Sequence, residues 1–239
     1  GSTECGISLV VDRRDAVAAT RASHTAYFGH NNHIDVLLVG CGNVGGELLS
    51  QFHRQASLLA EQHRELKVRA IANSRKLLVA SDSIDLESWA EQLEQDGEAY
   101  TFEDLVAVKD ALGLLNPTVV DCTSDEGLAR RYDELLASGF NVVCANKKAN
   151  TLDLAYYVRL RQVAARNYRK LLYETNVGAG LPVIDTVAGL IRSGDRLRVF
   201  EGILSGSLSM IFGLLEDGMS FSAAVARAME LGFTEPDPR

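Results

Sequence analysis

Histidine stops early in this sequence. All five histidines (His24, His30, His33, His53 and His63) fall within the first 63 of 239 residues, so most of the chain lacks the commonest acid–base side chain. That argues against Ser-His-Asp, Cys-His and HExxH zinc chemistry, each of which needs an imidazole beside its nucleophile or metal. Proton transfer is left to Lys, Asp, Glu or bound water. Cysteine is scarce too: Cys5, Cys41, Cys122 and Cys144 form no CxxC pair, and three of them sit in apolar runs that read as buried strands or their ends. This excludes a disulfide framework and fits a reducing cytosol. No apolar run approaches the ~20 residues of a membrane span, and the N-terminus has neither the basic nor the apolar region of a signal peptide. Positive charge is short as well. Lys plus Arg number 24 against 32 Asp plus Glu, a formal charge of −8 with pI ≈ 5.2, which argues against nucleic acid or a polybasic membrane contact and leaves small molecules or protein as partners.

The rest is ordinary globular composition, with 46% hydrophobic and 23% charged residues and only four prolines. At roughly 150 residues per domain the length allows one complete domain and part of another. Residues 4–12 read as a strand and Asp15 to Phe28 as a helix. One strand and one helix cannot bury each other, so residues 1–30 are expected to be the end of a preceding domain plus linker. The chain is therefore expected to be a segment of something longer.

From residue 31 to 150 strand and helix patterns alternate. Apolar runs at 34–40, 66–73, 117–123 and 140–146 read as buried strands. Helices are expected over Gly46 to Glu65, Leu86 to Gln95, Phe102 to Gly113 and Asp125 to Gly139. Such alternation predicts an α/β Rossmann-type parallel sheet with right-handed crossovers. Beyond 150 the composition shifts to a second, α+β unit (151–239): helices at 151–168, 181–194, 208–215 and 221–231, with strands in 169–178 and 197–206.

Gly40-Cys41-Gly42-Asn43-Val44-Gly45 is a GxGxxG between a buried strand and a helix, the context that gives the pattern meaning. Gly40 permits the tight turn, Gly42 lets a pyrophosphate approach the backbone, and Gly45 lets helix and strand pack closely, with the helix N-terminus facing the phosphates. The next strand ends Ala72-Asn73-Ser74-Arg75-Lys76, with two cations and no carboxylate for the ribose hydroxyls of NAD. That favours the 2′-phosphate of NADP, held by Arg75 and Lys76. Thr123 and Ser124 end a further strand, where they can contact the nicotinamide ribose or cap a helix. Lys147 ends the next one, open to cofactor, substrate carboxylate or solvent. Glu174 with the Val177-Gly178-Ala179-Gly180-Leu181 loop offers oxygen ligands for a hard cation, although on residue chemistry alone a plain strand-to-helix turn explains it. Ser207 lies at another strand-to-helix junction, and Glu235 in a stiff Pro-flanked loop can bind an ammonium or merely cap a turn.

Taken together, GCGNVGG, ANSRKLL, NPTVVDCTS, ANKKANT, YETNVGAGLP, GILSGSLSMIFG and GFTEPDPR resemble homoserine dehydrogenase, as the C-terminal half of the bifunctional aspartokinase–homoserine dehydrogenases. The resemblance spans roughly residues 33–239, and residues 1–30 look like the end of the ACT-type regulatory domain of those proteins. It implies NADP-dependent interconversion of L-aspartate 4-semialdehyde and L-homoserine in threonine and methionine biosynthesis, with NAD as a possible substitute. By matching position, Gly40, Gly42, Asn43, Val44 and Gly45 take the pyrophosphate, and Arg75 and Lys76 the 2′-phosphate. Thr123, Ser124 and Lys147 take the nicotinamide side, Lys147 also having a catalytic role. Glu174 with the carbonyls of Val177, Ala179 and Leu181 implies a sodium ion, and Glu235, Gly178 and Ser207 a substrate site. A homodimer through the second domain, higher oligomers in the parent and a cytoplasmic enzyme are implied too. In the family an Asp and a Lys credited with substrate binding and proton donation follow TEPDPR; this sequence stops at Arg239, so these residues are expected to bind NADP(H) and turn over poorly. The alternative is a non-catalytic NADP(H)-binding regulatory module. Aspartate-semialdehyde dehydrogenase needs a nucleophilic Cys and a later His, and no His follows residue 63.

Overall fold

The computed structural model describes residues 2–3, 6–28, 32–203 and 205–234. A short antiparallel pair, β1 (Ser2–Thr3) and β2 (Gly6–Ile7), precedes helix α1 (Ala16–Phe28). Of the strand expected over 4–12, residues 4–5 lie outside the described residues and only Gly6–Ile7 are extended in a pair; beyond them Leu9 and Val10 are exposed, and Asp12 accepts the Arg14 N–H and opens a 3₁₀ turn at Arg13–Asp15.

The alternating region supplies β3 (Asn32–Val39), α2 (Asn43–Glu61), β4 (Arg64–Ala72), β5 (Lys76–Val79), α3 (Trp89–Asp96), β6 (Glu98–Ala99) and α4 (Phe102–Ala111). It continues through β7 (Thr118–Asp121), α5 (Glu126–Ala129), α6 (Tyr132–Ala137), β8 (Asn141–Cys144), α7 (Lys148–Thr151), α8 (Leu154–Arg166) and β9 (Leu171–Leu172). Among the described residues the strands form one seven-stranded sheet in the order β6-β5-β4-β3-β7-β8-β9. β3 lies inside it, parallel to β4 on one side and β7 on the other. That is why its sequence is a continuous apolar run: Leu37 and Leu38 are fully buried, as are Val68, Ile71 and Val119 on the flanking strands.

Two expectations fail for identifiable reasons. The sheet is not parallel throughout, because β5 and β6 run antiparallel. Only Asn73, Ser74 and Arg75 separate β4 from β5, too short a link for a crossover, and the Asn73 Oδ1 builds a turn by accepting the N–H groups of Arg75 (2.8 Å) and Lys76 (2.7 Å). The single helix expected over 125–139 is two, α5 and α6. A side chain is inserted at the break: the Tyr156 hydroxyl on α8 donates to the Ala129 carbonyl (2.6 Å) and accepts the Tyr132 N–H (3.2 Å), satisfying groups that a continuous helix would pair internally. The helix expected over 151–168 forms as α8, with Asp153 capping it by accepting the Tyr156 N–H at 2.8 Å, and the short α7 lies just ahead of it.

The chain divides into compact units 1–172 and 173–239, rather than after residue 150. β9 explains the shift, since it pairs parallel to β8 through Val142↔Leu171 and Val143↔Leu172 and so belongs to the first sheet. The second unit holds α9 (Val183–Arg192), α10 (Gly206–Glu216) and α11 (Phe221–Glu230). α10 and α11 pack through Ile211, Ala224 and Ala228. Among the described residues the strand expected over 197–206 is not formed, and they include no strand of this unit to pair with it.

Candidate dinucleotide site

The glycine loop follows β3 where the strand order reverses, with β4 and β7 on opposite sides, so the carboxyl ends of the strands open a crevice there. Each glycine has a separate physical job. Gly40 has φ +93°, and a Cβ on it would lie 2.7 Å from Thr123 Cγ2 and 2.9 Å from the Cys122 carbonyl carbon. Gly45 is fixed by packing, since its Cβ would fall 1.9 Å from the Gly40 carbonyl oxygen. At Gly42 a Cβ would meet no protein atom within 4 Å, so the space above that backbone is open to a ligand. α2 begins at Asn43, three residues before the expected start, and its N-cap Gly42 supplies no side-chain acceptor. The first-turn N–H groups therefore lack a side-chain cap and face the crevice as an anion site. These residues fit a dinucleotide pyrophosphate.

A cavity of about 800 Å³ adjoins the loop, with Gly40, Asn73, Tyr100, Phe102, Thr123 and Arg131 in its lining. Tyr100 donates from its hydroxyl to the Asn73 carbonyl at 2.9 Å. The Arg131 guanidinium lies 3.5 Å from the Phe102 ring centroid and pairs with Glu103 (2.8 Å) and Glu134 (2.7 Å), making a rigid flat wall. Ser124 also lines the cavity. Arg75 lies on the exposed turn at its margin. The Lys76 ammonium is held by Glu94, donating to its main-chain carbonyl and pairing with its carboxylate at 3.2 Å.

Beneath Thr123 lies a buried polar cluster that the sequence reading did not assign. Asp121 closes β7 at 0% exposure, and its carboxylate accepts from the Thr123 N–H (2.7 Å), the Tyr132 hydroxyl and the Asn146 side-chain amide (3.1 Å). Asn146 also donates to Thr123 Oγ1 (3.3 Å) and the Asp125 carbonyl (2.8 Å), and accepts the Lys148 N–H at 3.0 Å. Lys147, between them in sequence, is exposed at the start of α7. The available signal was an Asp closing an apolar strand at the crevice, since a carboxylate there must be paired. Burial and the Asp121 charge push the Cys122 thiol up to about 11 and the Cys144 thiol up to about 12, and burial raises Cys41. The described thiols are protonated at neutral pH, the wrong state for nucleophilic catalysis.

In the second unit both Glu174 carboxylate oxygens accept main-chain N–H groups at the start of α9, from Ile184 and Asp185 at 2.8 Å each. Gly178 and Ala179 are left-handed, with φ +75° and +53°. Among the described residues no three His, Cys, Asp or Glu side chains converge, so a cation here would rest on one carboxylate and main-chain carbonyls. Oxygen donors of that kind suit a hard cation. The Ser207 hydroxyl donates to the Phe233 carbonyl and ties the start of α10 to the end of α11. Glu235 lies outside the described residues.

A glycine loop at a switch point of a largely parallel sheet, leading to an uncapped helix start beside a large cavity, defines a Rossmann-type dinucleotide-binding domain. The comparisons with known proteins narrow this. The profile of the homoserine dehydrogenase NAD-binding domain matches residues 40–174, and that of homoserine dehydrogenase matches residues 182–239. The chain belongs to the homoserine dehydrogenase family. It is 49% identical over 239 residues to the bifunctional aspartokinase/homoserine dehydrogenase of Haemophilus influenzae, covering all of this chain and 29% of that protein. It is 40% identical over 241 residues to the chloroplastic bifunctional aspartokinase/homoserine dehydrogenase 1 of Arabidopsis thaliana, of which it covers 26%. The chain thus spans less than a third of the length of these relatives. Among solved structures, a Candida auris protein of unknown function matches with TM-score 0.73 and 30% identity over 87% of this chain and 58% of that one. Homoserine dehydrogenase from Thermoplasma acidophilum matches with TM-score 0.69 at 24% identity over 87% and 63%, a likeness of fold. A hyperthermophilic archaeal homoserine dehydrogenase of the same fold was solved in complex with NADPH. No described helix is long and apolar enough to cross a membrane.

Proposed function

We propose that this chain carries the cofactor half of an NADP-dependent homoserine dehydrogenase, interconverting L-homoserine and L-aspartate 4-semialdehyde in a cytoplasmic pathway of threonine and methionine synthesis. The observation that carries the reading is the glycine loop at the β3 switch point, inside the stretch that matches the family's NAD-binding profile. When bound, the nicotinamide supplies the hydride acceptor or donor. The residues of this chain bind and orient it. Gly40, Gly42, Asn43, Val44 and Gly45 hold the pyrophosphate at the start of α2, and Thr123, Ser124 and Lys147 address the nicotinamide side. Arg75 and Lys76 take a 2′-phosphate. The strand end carries no carboxylate to favour NAD, and Lys76 must leave Glu94 to take part.

Glu235, Gly178 and Ser207 are assigned to the substrate, and Glu174 with the carbonyls of Val177, Ala179 and Leu181 to a sodium ion. The second unit is assigned to a homodimer interface, and residues 1–30 to the end of an ACT-type domain. The test is NADP⁺ reduction by L-homoserine, followed by NADPH absorbance in the full-length protein, beside NADPH binding by fluorescence. Homoserine-dependent reduction is expected. Binding without reduction would replace the enzyme by a regulatory module, and absence of binding would overturn both.

A further inference from the structure

Thr123 and Lys147 are carried by different loops, one after β7 and one after β8, and such loops are the mobile parts of an α/β sheet. A single buried carboxylate joins them. Asp121 is fully buried and holds the first loop through the Thr123 N–H and the second through the Asn146 amide, while the Tyr132 hydroxyl closes it from the helix side. Asn146, 3% exposed, repeats the tie through Thr123 Oγ1, the Asp125 carbonyl and the Lys148 N–H. Lys147 is therefore flanked by a residue anchored on Asp121 and a residue whose N–H is anchored on Asn146.

We propose that Asp121, acting through Asn146, is a positioning residue that locks the strand-end loops bearing Thr123 and Lys147 into one platform for the reacting end of the cofactor. This rests on the dehydrogenase reading above. A buried carboxylate with three donors is an unusual element to keep at a strand end, because an apolar residue would fill the core without a desolvation penalty. What the carboxylate adds is geometry. Its acceptor sites fix the Thr123 main chain and the Asn146 side chain together, and reacting groups displaced by about 1 Å can lose ~10²-fold in rate.

The experiment uses the full-length protein with Asp121→Asn, which keeps the shape and one acceptor but turns an amide N–H₂ toward the donors of Asn146 and Tyr132. Tyr132→Phe serves as the milder variant, losing one donor and keeping the loop tie. Asp121→Asn/Asn146→Asp restores a donor–acceptor pair with reversed polarity. For Asp121→Asn, kcat with homoserine should fall ~10- to 100-fold while the NADPH Kd, read by fluorescence, moves less than ~3-fold. A larger deuterium isotope effect from homoserine labelled at the carbinol carbon should accompany it. Tyr132→Phe should stay within ~3-fold of the parent kcat, and the double variant should recover part of the loss. If Asp121→Asn keeps its kcat, or if kcat falls only in proportion to weakened NADPH binding, the proposal is wrong. If Asp121→Asn does not fold, a Tyr132→Phe kcat as low as that of Asn146→Ala overturns it, and a loss confined to Asn146→Ala supports it. A wild-type protein that binds NADPH yet never reduces NADP⁺ with homoserine sinks the underlying reading instead.

Discussion

In residues 32–172 the apolar runs disappear into a sheet, whereas among the described residues of 173–239 comparable apolar side chains stay in solvent. Leu37 and Leu38 on β3 are 0% exposed, while Val199 and Ile203, in the segment expected to form a strand, are 70% and 77% exposed. Leu190 and Ile191 on α9 are also more than half exposed. The difference does not lie in the residues. β3 has a parallel partner on each side, and 197–203 has none among the described residues. Periodicity says which side chains need cover, and pairing decides whether they receive it.

The comparison breaks most readily in the two cores. Leu38→Ala removes a side chain packed against Val36, Leu49 and Ile71 and should cost ~2–5 kcal/mol in urea unfolding. Val199→Ala should stay within ~0.5 kcal/mol. If Val199→Ala costs as much as Leu38→Ala, the second unit's open face is covered in solution. Next in size is the pair of loop glycines, which look alike in sequence and differ in space. Gly45→Ala drives a methyl into the Gly40 carbonyl and should cost ~1–3 kcal/mol of stability together with NADPH binding. Gly42→Ala meets no protein atom and should leave the thermal midpoint nearly unmoved while NADPH binding weakens ~10-fold or more, about 1.4 kcal/mol. Equal thermal losses in both variants would show that Gly42 serves packing rather than a ligand.

Alkaline pH should also act on the first unit. Cys144 is pushed up to about 12 by burial and the neighbouring Asp121, Cys122 to about 11 by the same causes, and Tyr132 is raised well above its usual value by burial and then Asp121. Their protonated forms belong to the fold. Below the ordinary thiol value of 9.0 the contribution is complete; above it the unfolded chain releases protons that the folded chain keeps. Stability should therefore fall as pH rises from about 9 toward 12, by up to ~1.4 kcal/mol per pH unit for each group. Urea unfolding at pH 8, 9.5 and 10.5 measures the slope, which Cys144→Ala should flatten by about one proton. An unchanged slope in that variant would remove Cys144 from the account.

The sheet and the glycine loop were legible because each leaves a local signature: apolar runs between turn signals, and glycines at fixed spacing after a strand. The antiparallel β5 was not, since Lys76 to Val79 lacks a hairpin dipeptide and turns on a side-chain bond from Asn73. Nor was the break between α5 and α6, which depends on a hydroxyl arriving from Tyr156, 24 residues downstream of Tyr132. The Asp121 cluster falls between these cases. Asp121, Thr123 and Asn146 stand inside the motifs quoted for the site, but their convergence requires β7 and β8 to be neighbours, a fact of topology that spacing alone does not carry.

Glu174 gives the smallest effect and the sharpest division within the second unit. Its two oxygens hold the N–H groups of Ile184 and Asp185, so it closes the start of α9, where a negative charge also meets the positive end of the helix dipole. A hard cation would draw on the second lone pairs of the same oxygens. Glu174→Gln keeps one acceptor and should cost ~0.5–1 kcal/mol through the cap and the dipole. The capping role acts whatever the cation, so alone it gives the same loss in sodium and in tetramethylammonium chloride at equal ionic strength. A cation site adds a second loss that appears only in sodium, because binding to the folded state stabilises it by mass action. Thermal midpoints of the parent and Glu174→Gln in the two salts separate the roles: equal differences leave Glu174 as a helix cap alone, and a larger difference in sodium adds the ion.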